Sequence, residues 1–169
     1  MTEPAPADQR VFVSYIDKSR EYYRAIGYAN PYRWAYHQDA PFHLPGKPLR
    51  ECRVGLITTA SLIEPGEVPP PFTVPGPVFT APVDPLPTTF YTNHRAWDKE
   101  ATHTRDLDSY FPIHRLQEFA AAGRIGSLSP RFYGAPTEYS QRKTMESDAP
   151  AILELLREDR VDASILVAL

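Results

Sequence analysis

Cysteine is almost missing from this chain: Cys52 stands alone among 169 residues. One thiol excludes an internal disulfide framework and any Cys-x-x-Cys redox or zinc motif within those residues. An excess of positive charge is missing too. Eighteen Lys and Arg against 21 Asp and Glu give a net charge of −3, so the electrostatic footprint of a nucleic-acid-binding protein is lacking and no such partner is expected. No apolar run approaches the ~20 residues that span a bilayer. The opening MTEPAPADQR has neither the basic nor the apolar region of a secretory signal. We therefore expect no membrane and a cytoplasmic setting. Apolar residues at 42% and charged residues at 23% describe an ordinary globular protein, long enough for one main domain around a single core.

Two regions are expected, an N-terminal arm over 1–50 and an α/β domain over 51–169. In the arm, Val13, Ile16, Tyr23 and Ile26 recur at helical spacing and Gly27 supplies a stop, which predicts an amphipathic helix of about four turns. With PYRWAYH at 31–37 the tyrosines form an aromatic cluster with polar tips, suited to clamping the arm onto the core or a sister subunit. The best strand is the run Val54 to Thr59, with Thr58, Thr59 and Ala60 at its carboxyl end. Threonines there either cap the next segment or, with free backbone N–H groups, receive a small anion or carboxylate.

Residues 64–89 hold about half of the 19 prolines. That density excludes a helix or a central strand and predicts a long extended loop, a lid or a subunit contact laid over the surface by Phe72, Val74, Val78, Phe79 and Leu86. Beyond it, PIHRLQEFAAAGRIG predicts a helix with Pro112 near its start, Ile113, Leu116, Phe119 and Ala120 on one face, and Gly123 as its stop. IGSLSPRFYG reads as a short strand or turn. A last helix from about Asp148 to Arg160, N-capped by Ser147 or Asp148, feeds a final buried strand, Ala163 to Leu169. Strands with helices between them make an open parallel sheet the economical architecture. In such a sheet, ligands collect past the carboxyl ends of the strands.

Chemistry-bearing residues converge between the proline-rich segment and the helix at 113: His94, Asp98, Glu100, His103, Asp106, Asp108 and His114. His94 and Asp98 are four apart, so a helical turn would put them on one face, where a carboxylate orients an imidazole and raises its pKa. They are a candidate acid/base pair. His94, His103 and one of Asp98 or Asp106 would alternatively make a facial metal site for a hydrolase or lyase, although the spacing matches no diagnostic metal motif. No metal is assigned. Asp106 and Asp108 sit where a helix N-terminus favours acids, and His114 reads as a surface or packing residue. Cys52, two residues before the strand, reads as a small buried hydrophobe.

Taken in order, RVGLITTASL at 53–62, the block from Asn93 to Gly134 and APAILELLREDRVDASILVAL at 149–169 resemble the selenoprotein B family of glycine, sarcosine, betaine and D-proline reductases. The family pattern of a TT-ended strand, H-x-x-x-D, D-[LI]-[ND], FP-[ILV]-x-RL and GS-[LV]-x-PR-x-Y is met by Thr58–Thr59, His94 and Asp98, Asp106 to Asp108, Phe111 to Leu116, and Gly126 to Tyr133. The resemblance covers about two thirds of the chain, and the aromatic arm is similar to a stand-alone subgroup. It implies a Rossmann-like fold and reductive cleavage of a C–N bond in an amino acid or amine. Catalysis would draw on His94 and Asp98, and substrate binding on Thr58, Thr59, Asp106 and His103. It also implies selenocysteine or thiol chemistry, because the chalcogen anion is the nucleophile, and a partner subunit or a homo-oligomer. In the family the redox motif follows a strand like Ile165 to Leu169. The expectation is therefore a continuation beyond an in-frame UGA, a binding or partner subunit that lacks the motif, or different chemistry at His94 and Asp98.

Overall fold

The computed structural model describes residues 15–28, 38–39, 41, 43–68, 76–92, 105–137 and 140–168. The chain divides into two units, Met1–Pro41 and Phe42–Leu169. In the first, α1 (Tyr15–Ala25) is a helix of 11 residues. It stops where Tyr28 N–H reaches the Tyr23 carbonyl at 2.9 Å. Tyr22, Tyr23, Ile26 and Tyr28 are exposed, and the three tyrosines stack edge to face on one another at 5.6 Å between successive ring centres.

The second unit is a mixed α/β domain. Its spine is β1 (Arg53–Thr58), buried at Val54, Gly55, Leu56 and Thr58, as expected for a β-branched and aliphatic run inside a sheet. One edge of β1 is lined in parallel by β5 (Ser127–Leu128) and β6 (Arg131–Gly134). The two are halves of one interrupted line. Arg53 and Val54 face Ser127 and Leu128, whereas Ile57 and Thr58 face Tyr133 and Gly134, so Gly55 and Leu56 stand opposite a four-residue stretch that contains Pro130. Proline cannot donate to the ladder, and the bulge places it outside the pairing. The other edge of β1 carries β7 (Ala163–Val167), also parallel.

Outside β6 lies β3 (Phe79–Pro82), antiparallel to it. The extended loop expected over 64–89 is thus interrupted by an edge strand, a sheet position that tolerates a proline such as Pro82. β2 (Ser61–Leu62) pairs with β4 (Phe90–Tyr91) as a separate two-stranded ribbon. IGSLSPRFYG supplies two paired strands, and Phe132 and Tyr133 of β6 are fully buried.

Successive strand residues point to opposite faces. Val54, Leu56 and Phe132 share a core with Ile113 and Leu116 of α2 (Ile113–Ala121). Gly55, on the other face, meets Leu156 of α4 (Ala149–Glu158). The two helices therefore cover opposite sides of the sheet. In the α2 core, Phe111, Phe132 and Phe90 pack with ring centres 4.8–5.5 Å apart. Phe119 is instead exposed, its ring lying under the Arg124 guanidinium at 4.1 Å. Gly123, at φ +67°, adopts the left-handed conformation that ends α2.

The last helix differs from expectation at its start. Helical structure begins at α3 (Gln141–Lys143), continues through a π-helical turn over Thr144–Asp148 and only then becomes α4. Its N-cap is Ser140, whose hydroxyl accepts the Lys143 N–H at 3.2 Å; neither Ser147 nor Asp148 caps it. Pro150 lacks an N–H and crowds the carbonyl four residues back, and a widened turn just before it relieves both problems. The final strand differs too. β7 lies at the sheet edge, with Ile165 at 40% and Leu166 at 64% exposure, so it is not the buried strand its composition predicted.

Candidate functional site

At the carboxyl ends of β1 and β6 the chain opens a cleft of about 220 Å³. Ser61 and Leu62 enter it from the β1 exit, Pro136 and Thr137 from the β6 exit, Phe79 from β3 and Tyr91 from β4. None of its described lining residues is charged. The site therefore offers three hydroxyls set among apolar and backbone surface, which suits a small ligand with one polar and one apolar side.

Most main-chain groups at the floor are already committed. Ala135 N–H donates to the Thr58 carbonyl at 2.8 Å, and Thr59 N–H to the Val167 carbonyl at 3.3 Å. The Thr137 hydroxyl donates to the Thr59 carbonyl at 3.2 Å, tying the β6 exit to the β1 exit. Beside them, Ile63 and Thr89 are joined by two hydrogen bonds, one of them from the Thr89 hydroxyl. The cleft is thus framed by cross-strand links. Phe79 is held by an unusual contact: a Cβ on Gly134 would lie 1.9 Å from its ring, so the ring rests directly on backbone.

Thr58 is fully buried and its hydroxyl accepts the Ala60 N–H at 3.0 Å, which is the turn-capping role. Thr59 is partly exposed and contributes its carbonyl to the Thr137 link. Asp106 is exposed; its carbonyl accepts from the Ser109 N–H and hydroxyl at 3.2 and 2.6 Å, and it does not line the cleft. His94, Asp98, Glu100 and His103 lie outside the described residues. Among those described, no group of three His, Cys, Asp or Glu residues is arranged to hold a metal ion.

Among the described residues a His–Asp pair forms between Asp108 and His114. Asp108 accepts the His114 backbone N–H at 3.0 Å and contacts the His114 ring nitrogen at 2.9 Å. It thereby caps α2, the role that acids before a helix commonly take. His114 is half-exposed on the surface. Cys52 is fully buried, with its thiol near the Lys47 and Pro48 carbonyls at 3.6 and 3.5 Å.

The opposite, amino end of the sheet carries a dense polar network that sequence reasoning missed. The Tyr133 hydroxyl donates to Asp159 at 2.6 Å and contacts Ser129 at 2.8 Å, and Arg131 donates to the same carboxylate at 2.6 Å. Burial, then the Asp159 hydrogen bond, push the Tyr133 hydroxyl up to about 12. Burial tends to raise Asp159, but the Arg131 and Tyr133 hydrogen bonds outweigh it and hold the carboxyl below its usual value. Lys47 and Asp162 pair nearby at 2.8 Å. Every member has a partner, so this end serves stability. The cleft residues Ser61 and Thr137 carried no signal in the sequence beyond following an expected strand, and Tyr91, inside β4, carried none.

No family model matches the chain, and comparisons with curated proteins and with solved structures find no match. Among the described residues, no helix is long and apolar enough to cross a membrane.

Proposed function

We propose that this chain is a reductase-family protein related to selenoprotein B, which holds a small amino acid or amine at the carboxyl ends of β1 and β6 for reductive cleavage of its C–N bond. The observation that carries the reading is the position of the cleft. After β1 the chain goes on to α2 on one face of the sheet, and after β6 to α4 on the other. Neighbouring strands whose exits diverge in this way create the crevice in which Rossmann-like sheets bind ligands. The motif order from Thr58–Thr59 through His94, Asp98 and Tyr133 supports the same family.

In this reading Ser61, Tyr91 and Thr137 hold the polar end of the substrate and Phe79 its apolar side. His94, oriented by Asp98, supplies the acid/base group, with His103 and Asp106 nearby. The chalcogen nucleophile is a selenocysteine or thiol other than Cys52, whose side chain is sealed at the amino end of β1. It is brought by a partner subunit. A non-catalytic binding subunit on the same scaffold is favoured by one observation, the exposed apolar edge of β7, which a partner or a second copy would cover. A cytoplasmic setting belongs to the same reading.

The test is binding of glycine, sarcosine, betaine and D-proline, followed by ligand-dependent chemical shifts in the purified chain. His94→Ala and Thr137→Val are expected to weaken binding of at least one of these ligands about tenfold or more, with unchanged thermal unfolding for His94→Ala and a loss of about 1 kcal/mol for Thr137→Val, which gives up its bond to the Thr59 carbonyl. Full binding in both variants, or no binding by the native chain, would overturn the assignment.

A further inference from the structure

The sheet has two edges, and they are unlike. β3 carries Pro82, one of the residues that blunt an edge against further pairing. β7 pairs with β1 in an unbroken register from Ala163 to Val167, and among the described residues no strand lies outside it. Its sequence, ASILV, has no charge and no proline, so this edge lacks the usual protection. The Val167 carbonyl accepts from the Thr59 N–H at 3.3 Å, which turns the backbone groups of Val167, and with them those of Ile165, toward β1. Backbone groups alternate in direction along a strand, so the N–H and C=O of Ser164 and Leu166 point outward.

The same edge is apolar on both faces. Ile165 is in register with Leu56, on the α2 face, and Leu166 with Ile57, on the α4 face; both are exposed. On α4, Glu158 and Asp159 bind Arg131 of β6, and Leu153 lies about 140° round the helix from Glu158. Leu153 is therefore on the β7 flank of α4. It too is exposed, and it extends the Leu166 patch from strand to helix.

We infer that β7 is the contact of a two-fold homodimer, in which it pairs antiparallel with β7 of a second copy and joins the two sheets into one. An identical strand running the other way presents the same outward donors and acceptors at the same spacing, so Ser164 and Leu166 of each copy satisfy those of the other. Charge selects the antiparallel sense. Exposed Arg160 and the Lys47–Asp162 pair gather at the amino end of β7, and antiparallel pairing sets them beside the uncharged Val167–Ala168 end of the second copy. Parallel pairing would set Arg160 against Arg160, which is unfavourable. The spacing agrees. Each α4 lies over its own β1, three strand spacings from the β1 of the second copy, or about 14 Å. Helices in direct contact stand about 8–10 Å apart, and Leu153 and Leu166 of both copies fill the difference. The dimer stands on the sheet edge alone and is independent of the reductase reading.

Light scattering of the full chain, 19.1 kDa per copy, reads the assembly, and amide hydrogen exchange reads the strand. Native protein is expected to weigh two copies at about 10 μM and above. The Ser164 and Leu166 N–H groups should become protected as concentration rises, while those of Ile165 and Val167 are protected throughout. Leu166→Lys and Leu166→Glu are each expected to weaken dimerisation at least about tenfold, and an equimolar mixture of the two to restore it, because opposite charges then meet across the two-fold axis. Amino-acid binding should be the same in both variants, since the cleft lies elsewhere. A native chain that stays monomeric to about 100 μM overturns the inference, as does one that grows past two copies, because a two-fold contact closes. A dimer that persists in both Leu166 variants but is lost in Tyr22→Ser with Tyr28→Ser places the contact on α1 and overturns it too. Should a Leu166 variant fail to fold, exchange at Ser164 and Leu166 that ignores the concentration of the native chain is equally decisive against it.

Discussion

At Gly134 the chain has room for a hydrogen and nothing larger. The Phe79 ring occupies the space a methyl group would take, at 1.9 Å from the Cβ position. Gly134→Ala must therefore push the ring off β6, and Phe79 is both a wall of the cleft and an edge-to-face partner of Phe132 at 6.3 Å. We expect a loss of about 1–3 kcal/mol in urea unfolding, typical of overpacking, together with weaker ligand binding in the cleft. A variant as stable as the native chain would mean that Phe79 has another place to go. Single residues were legible in the sequence where their chemistry is local. Cys52 reads correctly as a buried hydrophobe, and Asp108 as a helix-capping acid. Gly134 gave no signal, because its demand comes from a ring more than fifty positions earlier on a strand that proline content argued against. The same holds for Tyr133, Ser129 and Asp159, whose hydrogen bonds exist only once β6 and the end of α4 meet.

Helices and strands were legible in proportion to how much of their signal is their own. α2 has an apolar stripe, an acid before it and a glycine after it, and it forms over Ile113–Ala121 much as the pattern predicts. The helix leading to β7 is legible only in part: α4 spans Ala149–Glu158 with Pro150 in its first turn, as expected, but helical structure starts well before it. The chain absorbs that proline with a π-helical turn and begins the helix at Gln141. The cap is accordingly at Ser140. Ser140→Ala removes the acceptor for the Lys143 N–H and should cost about 1 kcal/mol, whereas Ser147→Ala should change stability by less than about 0.5 kcal/mol, as for an exposed helix position. Chemical denaturation of the two variants decides between the caps. β7 shows a limit of another kind: ASILV reads as buried from its composition, yet composition does not say whether a strand ends up inside a sheet or at its edge. Here Ile165 and Leu166 are left at the surface.

At the scale of the whole domain the sheet has two unlike ends. The perturbed ionisable groups of the amino end, Lys47, Arg131, Tyr133, Asp159 and Asp162, are joined in ion pairs and hydrogen bonds, while the cleft, none of whose described lining residues is charged, lies at the carboxyl end. Asp159 and Asp162 have folded-state values below the ordinary carboxylate value. Their contribution is thus complete above about pH 4, the unfolded value, and is lost as pH falls through the folded one. Tyr133 has the opposite sign. It holds its proton up to about 12 in the folded chain but only to about 10 unfolded, so its contribution is complete below about pH 10 and disappears between about 10 and 12. Lys47, raised chiefly by its hydrogen bond to Asp162, adds to the alkaline limb. Thermal unfolding followed against pH should therefore give a plateau from about 5 to 9, with a fall on either side. Absorbance at the phenolate band should show at least one of the ten tyrosines ionising late and together with unfolding. Asp159→Asn should lower the plateau and flatten the acid limb, since Arg131 and Tyr133 then lose their shared acceptor. An acid limb of the same steepness in that variant would place the acid-sensitive group elsewhere, and the stabilising role of the amino end would pass to another part of the sheet.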